Sequence, residues 1–271
     1  MQTGNSRTAA GKVTTAAAPI VTAEDQITET LTLDACGLQC PGPIMQTYQT
    51  MDKLTDGDVL FVKASDPGFA QDIRTWANNT GNTVLKIDQD AKTREIHAYI
   101  QKGTDEVAHE VSTQKENKGT IVLFSGELDK AMAAMIIAQG AAATGKQMTV
   151  FCTFWGLNLL RRDDAPKVEK SAIESMFGMM MPKGAEALPL SNMNMGGMGK
   201  TMMKKVMKDK NVDSLPQLLK QAQEVGVRFI ACTMSMDVMG IKEEELIDGI
   251  ELGGVATYVG ESTNADLTLF I

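Results

Sequence analysis

The stretch Leu33-Asp34-Ala35-Cys36-Gly37-Leu38-Gln39-Cys40-Pro41-Gly42-Pro43-Ile44 decides how the first half of this chain is read. Ile27 to Leu33 alternates apolar and polar residues as it approaches, which predicts a strand. A short glycine-containing loop follows. The Cys-Pro-Gly-Pro sequence then opens onto a helical pattern. Proline suits the first turn of a helix because its missing N–H would have no partner there and its φ is already set. Cys40 is therefore expected just before or at a helix N-terminus. Exposed N–H groups and the helix dipole favour negative charge at such a place. A cysteine there should ionise more readily, and the thiolate is the nucleophilic form. The plain alternative is a buried cysteine acting as a small apolar residue.

Working outward, a helix is expected from about Pro43 to Leu54, with Ile44, Tyr48 and Met51 on one face. Asp56-Gly57 marks a turn, Val59 to Ala64 a strand, and Asp66-Pro67-Gly68 the opening of a second helix through Trp76. Gly81 sits at the C-cap position of that helix. Two more strands are expected at Val84 to Ile87 and Glu95 to Ile100. The order βαβαββ implies a two-layer α/β sandwich with both helices on one face and Trp76 in the core. Residues 1–25, rich in Thr, Ala, Gly and Ser without periodicity, read as a flexible tail.

These residues resemble the TusA (SirA-like) family of small sulfur-carrier domains. The likeness spans residues 26–103. It rests on Leu33-Asp34, Gly37-Leu38, Cys40-Pro41-Gly42-Pro43, Gly57-Asp58, Asp66-Pro67, Asp72-Ile73, Trp76-Ala77 and Gly81. The resemblance implies that Cys40 carries sulfur as a persulfide. Cys36 is additional to that motif.

Residues 104–117 are polar and charged with no core-forming pattern, and read as an inter-domain linker. The second domain, 118–271, opens with a strand at Thr120 to Phe124. A long Ala- and Met-rich helix follows from Asp129 to Ala143, and a second strand from Met148 to Phe154. A strand–helix–strand unit of this kind implies parallel pairing and a right-handed crossover. Trp155-Gly156-Leu157-Asn158 turns the chain at the carboxyl end of the second strand, where ligand sites in open parallel sheets collect. Ser214 and Pro216 start a further helix that ends at Gly226. Val227 to Thr233 is a near-continuous apolar strand of the buried type, with Cys232 at its carboxyl end. A short acidic helix from Lys242 to Asp248 and two last strands, Gly254 to Val259 and Leu267 to Ile271, complete the expected order.

Ten of the 19 methionines fall between Met176 and Met207. Methionine is flexible and polarizable, so the segment reads as an adaptable cover or a subunit interface; a thioether site for Cu(I) lacks any fixed geometry. Gly197-Met198-Gly199-Lys200-Thr201 invites a phosphate-loop reading, which fails because Asn194 stands where the first glycine is needed. From about Lys118 to Ile271 the chain resembles the DsrE/DsrF-like superfamily, in its larger methionine-rich branch. The residues that carry this are Thr153-Phe154-Trp155-Gly156-Leu157, Met179-Met180-Met181-Pro182, Asn192 to Gly199, Ala231-Cys232 with Met234-Ser235-Met236-Asp237, and Gly253-Gly254-Val255-Ala256. The resemblance implies an oligomeric α/β domain with sulfur carried on Cys232. Cys152 stands where many relatives have an aromatic residue.

The whole chain has 271 residues, 43% hydrophobic and 22% charged, with a formal charge of −8. That balance opposes a general nucleic-acid binder, which needs clustered Lys and Arg. Four cysteines over this length are too sparse for a disulfide scaffold. Two histidines give too few ligands for a zinc site. The longest apolar run, Ala131 to Ala143, falls short of the about 20 residues needed to span a bilayer, and no signal-peptide pattern opens the chain. The expectation is a cytoplasmic sulfur-relay protein, with no cofactor and no metal. Its partners would be sulfur donors and acceptors, proteins or small sulfane compounds, and it would self-associate through the second domain. Cys40 and Cys232 are the expected catalytic thiols, with Cys152 and Cys36 as possible secondary ones. A thiol–disulfide redox protein and a non-catalytic adaptor using its methionine-rich face stay open as alternatives.

Overall fold

A period of two builds the centre of the first sheet: along Val59–Ala64, Leu60, Val62 and Ala64 are fully buried while Phe61 and Lys63 face outward. The computed structural model describes residues 12–15, 27–103 and 116–271, and these form two compact units, one of the residues up to 112 together with 254–257, the other of 113–253 and 258–271.

In the first unit the strands are β1 (Lys12–Thr15), β2 (Leu31–Asp34), β3 (Val59–Ala64), β4 (Thr83–Gln89) and β5 (Ile96–Gln101), and the helices are α1 (Gly42–Met51) and α2 (Phe69–Asn79). The sheet is mixed, in the order β1-β2-β3-β5-β4. β2 and β3 run parallel, Leu31 opposite Leu60, as a strand–helix–strand crossover through α1 requires. The other pairs are antiparallel. Ile44 and Met51 of α1 and Phe69 and Ile73 of α2 pack with Leu33, Leu60, Val62, Ile96, Ala98 and Ile100 into one core. Trp76 is partly buried against it. On the outward face Phe61 stacks on Tyr99 with ring centroids 4.6 Å apart. The βαβαββ order thus stands, with one strand ahead of it. Lys12–Thr15 pairs antiparallel with β2 inside the stretch read as a tail; the remainder of residues 1–26 and residues 104–115 lie outside the described residues.

The second unit is a five-stranded parallel sheet in the order β10-β6-β7-β8-β9. Its strands are β6 (Glu116–Leu123), β7 (Gln147–Cys152), β8 (Arg228–Cys232), β9 (Ile250–Gly253) and β10 (Ala265–Phe270). The helices are α3 (Leu128–Ala143), α4 (Ala172–Met180), α5 (Met198–Asp209), α6 (Leu215–Glu224), α7 (Thr233–Met239) and α8 (Val255–Thr263). Three steps, β6 to β9, move the same way across the sheet. Right-handed crossovers then place their helices on one face. Ala131, Ala134 and Met135 of α3 and Leu215, Leu219 and Ala222 of α6 accordingly share a core with Ile121, Leu123, Val150 and Phe229. The step from β9 to β10 runs back across the sheet, so its helix belongs on the other face. There Tyr258 of α8 packs with Val122, Phe151 and Ile230, its ring 5.3 Å from that of Phe151.

That return step corrects one expectation. Gly254 to Val259 is β-rich in composition and was expected as a strand, but it forms most of α8. Two parallel strands at opposite edges cannot be joined by a strand-like turn, so the connection overrides local propensity. Thr233–Met239 is likewise helical, and the acidic stretch after it contracts to a single tight turn at Glu243–Glu245.

Between β7 and β8, Leu157, Leu160 and Leu188 reach the core, but the helices α4 and α5 bury little of their own. Gly178 is the one buried residue of α4 and Met207 that of α5. Met179, Met180 and Met193 are 85%, 76% and 78% exposed. Ion pairs add to that burial around α4. Lys170 lies 2.5 Å from Glu245, Lys242 lies 2.8 Å from Glu174, and the buried Arg161 lies 3.4 Å from Glu245. The Ser171–Glu174 capping box starts α4.

At the carboxyl ends of β6 and β7 two loops meet backbone to backbone. Gly156 N–H donates to Phe124 O at 2.9 Å, and a Cβ at Gly156 would stand 2.0 Å from Leu123 O. Gly156→Ala should therefore cost about 1–3 kcal/mol, because the neighbour is backbone and cannot turn aside. Gly140→Ala, on an exposed turn of α3 with nothing within 4 Å, should add up to about 1 kcal/mol. Urea unfolding midpoints check both; equal shifts of the same sign would contradict the packing described.

Candidate functional site

Cys40 is positioned by the loop between β2 and α1. Ala35 N–H donates to Lys63 O at 2.8 Å, continuing the β2–β3 pairing one residue further. Gly37 then turns with φ +79°, a conformation that favours glycine, and its N–H reaches Ser65 Oγ at 2.8 Å. Cys40 N–H donates to Oδ2 of Asp66 at 3.0 Å, while Oδ1 of the same carboxylate accepts from Gly68 N–H at 2.9 Å. Asp66 is 2% exposed, so one buried carboxylate ties the cysteine loop to the turn that starts α2. Pro41 caps α1 and Pro43 lies in its first turn, which puts Cys40 one residue ahead of the cap.

The Cys40 side chain is buried, at 8% exposure. Its thiol donates to Oδ2 of Asp72, on the first turn of α2, at 3.8 Å. Burial pushes the Asp72 carboxyl above the usual carboxylate range; hydrogen bonds from Thr257 and Gly254 to its other oxygen oppose that shift, and the charge of Asp66 adds to it. Neither aspartate was assigned a role from sequence. The signal for Asp72 was available: it interrupts the apolar stripe Phe69, Ile73, Trp76 of an amphipathic helix with a charge, at 1% exposure. A carboxylate on a core-facing stripe needs a partner.

The other cysteines differ sharply. Cys36 is half-buried on the same loop, and burial together with its hydrogen bond to Asp34 raises its thiol to about 11. Cys152 ends β7 at 0% exposure, within the core shared with α3 and α6, and burial pushes its thiol far up. Cys232 ends β8 at 5% exposure and packs with Val122, Phe151 and Ile230 on the opposite face. The register explains the split. Cys152 pairs with Ala231, so the next residue, Cys232, points the other way. Hydroxyls crowd this end of the sheet: Thr153 Oγ1 lies 2.7 Å from Ser235 Oγ, and Thr233 Oγ1 is buried with no hydrogen-bond partner among the described residues.

No disulfide is formed among the described residues. No group of three His, Cys, Asp or Glu side chains among them is placed to hold a metal ion, and no helix among them is long and apolar enough to cross a membrane.

Two family models match the chain. The DsrE/DsrF/DrsH-like family covers residues 115–270, and Sulfurtransferase TusA covers residues 31–102. The uncharacterized protein YrkE of Bacillus subtilis is 52% identical over 159 residues, 59% of this chain and 99% of its own length. The sulfur carrier protein DsrE2 of Allochromatium vinosum is 37% identical over 161 residues, 58% of this chain and 99% of its own. The sulfur carrier protein TusA of the same organism is 37% identical over 70 residues, 26% of this chain and 90% of its own.

The thiol environments predict an order of labelling. At pH 8 a thiol titrating near 11 is about one-thousandth thiolate, against about a quarter for an ordinary cysteine. Cys36 should therefore react with iodoacetamide about two orders of magnitude more slowly than a model thiol, and gain about tenfold per pH unit up to pH 11. Cys152 should label only after denaturation. Peptide-resolved mass spectrometry reads both, and rapid labelling of either in the native chain at pH 8 would contradict these environments.

Proposed function

We propose that this chain, which belongs to the DsrE/DsrF/DrsH-like family through residues 115–270 and carries a TusA sulfurtransferase domain over residues 31–102, relays sulfane sulfur between Cys40 and Cys232. The observation that carries the reading is the setting of Cys40. It sits at a loop-to-helix junction, with its own N–H held by Asp66 and its thiol against Asp72. A structural cysteine needs neither partner.

The chemistry is thiolate attack on divalent sulfur. A donor persulfide R–S–SH gives up its outer sulfur to Cys40, leaving Cys40 Sγ–SH and R–SH. Cys232 then attacks the outer sulfur in the same way, and Cys40 returns to its thiol. Each step forms one S–S bond and breaks one, with no net oxidation. Carrying both thiols on one chain makes the second step intramolecular, at effective concentrations in the millimolar range for short flexible linkers. The donors and acceptors are sulfur-carrying proteins or small sulfane compounds, and a reducing cytoplasmic setting would keep all four cysteines as thiols. The exposed methionines of α4 and α5 suit self-association of the DsrE-like domain.

A thiol–disulfide couple is less well supported. Cys152 and Cys232 lie on opposite faces of their sheet, and of the two thiols that share a loop, Cys36 and Cys40, both are free and Cys36 is pushed up to about 11. A non-catalytic adaptor would not need a carboxylate held against a buried thiol.

Incubating the full chain with a persulfide donor should add one sulfur, labile to reductant, to the Cys40 peptide. Cys40→Ser should abolish loading from the donor at both positions. Cys232→Ser should leave Cys40 loaded and stop onward transfer. Loading of Cys232 at an undiminished rate in Cys40→Ser would overturn the proposed order.

A further inference from the structure

Asp72 stands out as a buried titratable group that the relay does not itself require. It lies in the first turn of α2, 1% exposed, with one carboxylate oxygen aimed at the Cys40 sulfur at 3.8 Å. Its other oxygen, Oδ1, accepts from Gly254 N–H at 2.8 Å, from Thr257 N–H at 3.0 Å and from the Thr257 hydroxyl, which offsets part of the cost of burying the charge and leaves Oδ2 facing the thiol. The titratable groups facing it are Cys40, from the loop ahead of α1, and Asp66, from the turn ahead of α2. Asp66 is committed to two backbone N–H groups through both of its oxygens, which leaves Cys40 as the group with which Asp72 can exchange a proton.

We propose that Cys40 and Asp72 share one proton, and that Asp72 is the general base that accepts it when the Cys40 sulfur attacks. This rests on the sulfur-carrier reading of Cys40 and adds to it the means by which a buried thiol becomes a nucleophile. As the new Sγ–S bond forms, the proton passes from Cys40 to Oδ2 of Asp72. The S–S bond of the donor persulfide breaks at the same time, and the departing thiolate R–S⁻ takes a proton from solvent. When Cys40 later gives up the sulfur, Asp72 returns its proton to the departing Cys40 thiolate. The carboxyl is restored as a carboxylate, and nothing is oxidised or reduced.

Two groups that share a proton titrate as a pair, in two macroscopic steps. Between those steps a fraction of the protein holds the proton on Asp72 and a thiolate on Cys40. The rate at which neutral iodoacetamide alkylates Cys40, read from pH 5 to pH 10 by peptide-resolved mass spectrometry on the full chain, should rise to a shoulder and then rise again. Asp72→Asn should collapse this to a single rise. Superposable single-step profiles for the wild type and Asp72→Asn would overturn the proposal.

A second measurement does not depend on Asp72→Asn folding. The carboxyl carbon resonance of Asp72 should titrate in two steps in the wild-type chain and in one step in Cys40→Ser. One step in both would overturn the proposal equally. Neither readout uses a sulfur donor. A two-step profile in a chain that takes up no sulfur would sink the carrier reading and leave the shared proton standing.

Discussion

A single buried carboxylate organises the surroundings of Cys40. Asp66 accepts from the N–H of Cys40 with one oxygen and from the N–H of Gly68 with the other. Hydrogen bonds to a charged acceptor contribute about 1.5–3 kcal/mol each, and losing the acceptor would leave two N–H groups unsatisfied at this junction. The position of Cys40 follows from this tie. So does the entry of α2, and with it the height at which Asp72, one turn further along, meets the sulfur. The thiol is not placed by α1 alone.

The DsrE-like unit obeys a different constraint, the handedness of its crossovers. Steps in one direction put α3 and α6 on one face, and the return step puts α8 on the other. A period of two along β7 and β8 then sends Cys152 and Cys232 to opposite faces, although they end adjacent strands. Burial alone makes Cys152 a poor nucleophile. Both cysteines lie at carboxyl strand ends, the conventional place for a site, so only the register separates them.

Much of this was legible in sequence. Val59–Ala64 and Ile96–Gln101 show their inward residues by simple alternation, and Cys-Pro-Gly-Pro announces a helix start. What was hidden has particular physical causes. Lys12–Thr15 is a four-residue edge strand whose pairing comes from β2, not from its own composition. Val255 to Val259 favours a strand locally and becomes helical because a parallel edge strand must be reached from the far side of the sheet. Asp72 lies 32 residues from Cys40, and only the packing of α2 beside the cysteine loop brings the carboxyl to the sulfur. The methionine-rich excursion was recognised as adaptable surface; the buried Arg161–Glu245–Lys170 cluster that fastens it was not, since its members are spread over 84 residues.

The central claim is that one chain moves sulfur between two of its own cysteines, and the direct measurement is a single-turnover transfer. The full chain would be loaded with radiolabelled sulfur on Cys40, freed of donor, and quenched at intervals while the label is located by peptide. The account predicts loss of label from Cys40 matched by its appearance on Cys232, with a rate constant that does not change on tenfold dilution. Label that stays on Cys40 until an external acceptor is added would contradict it.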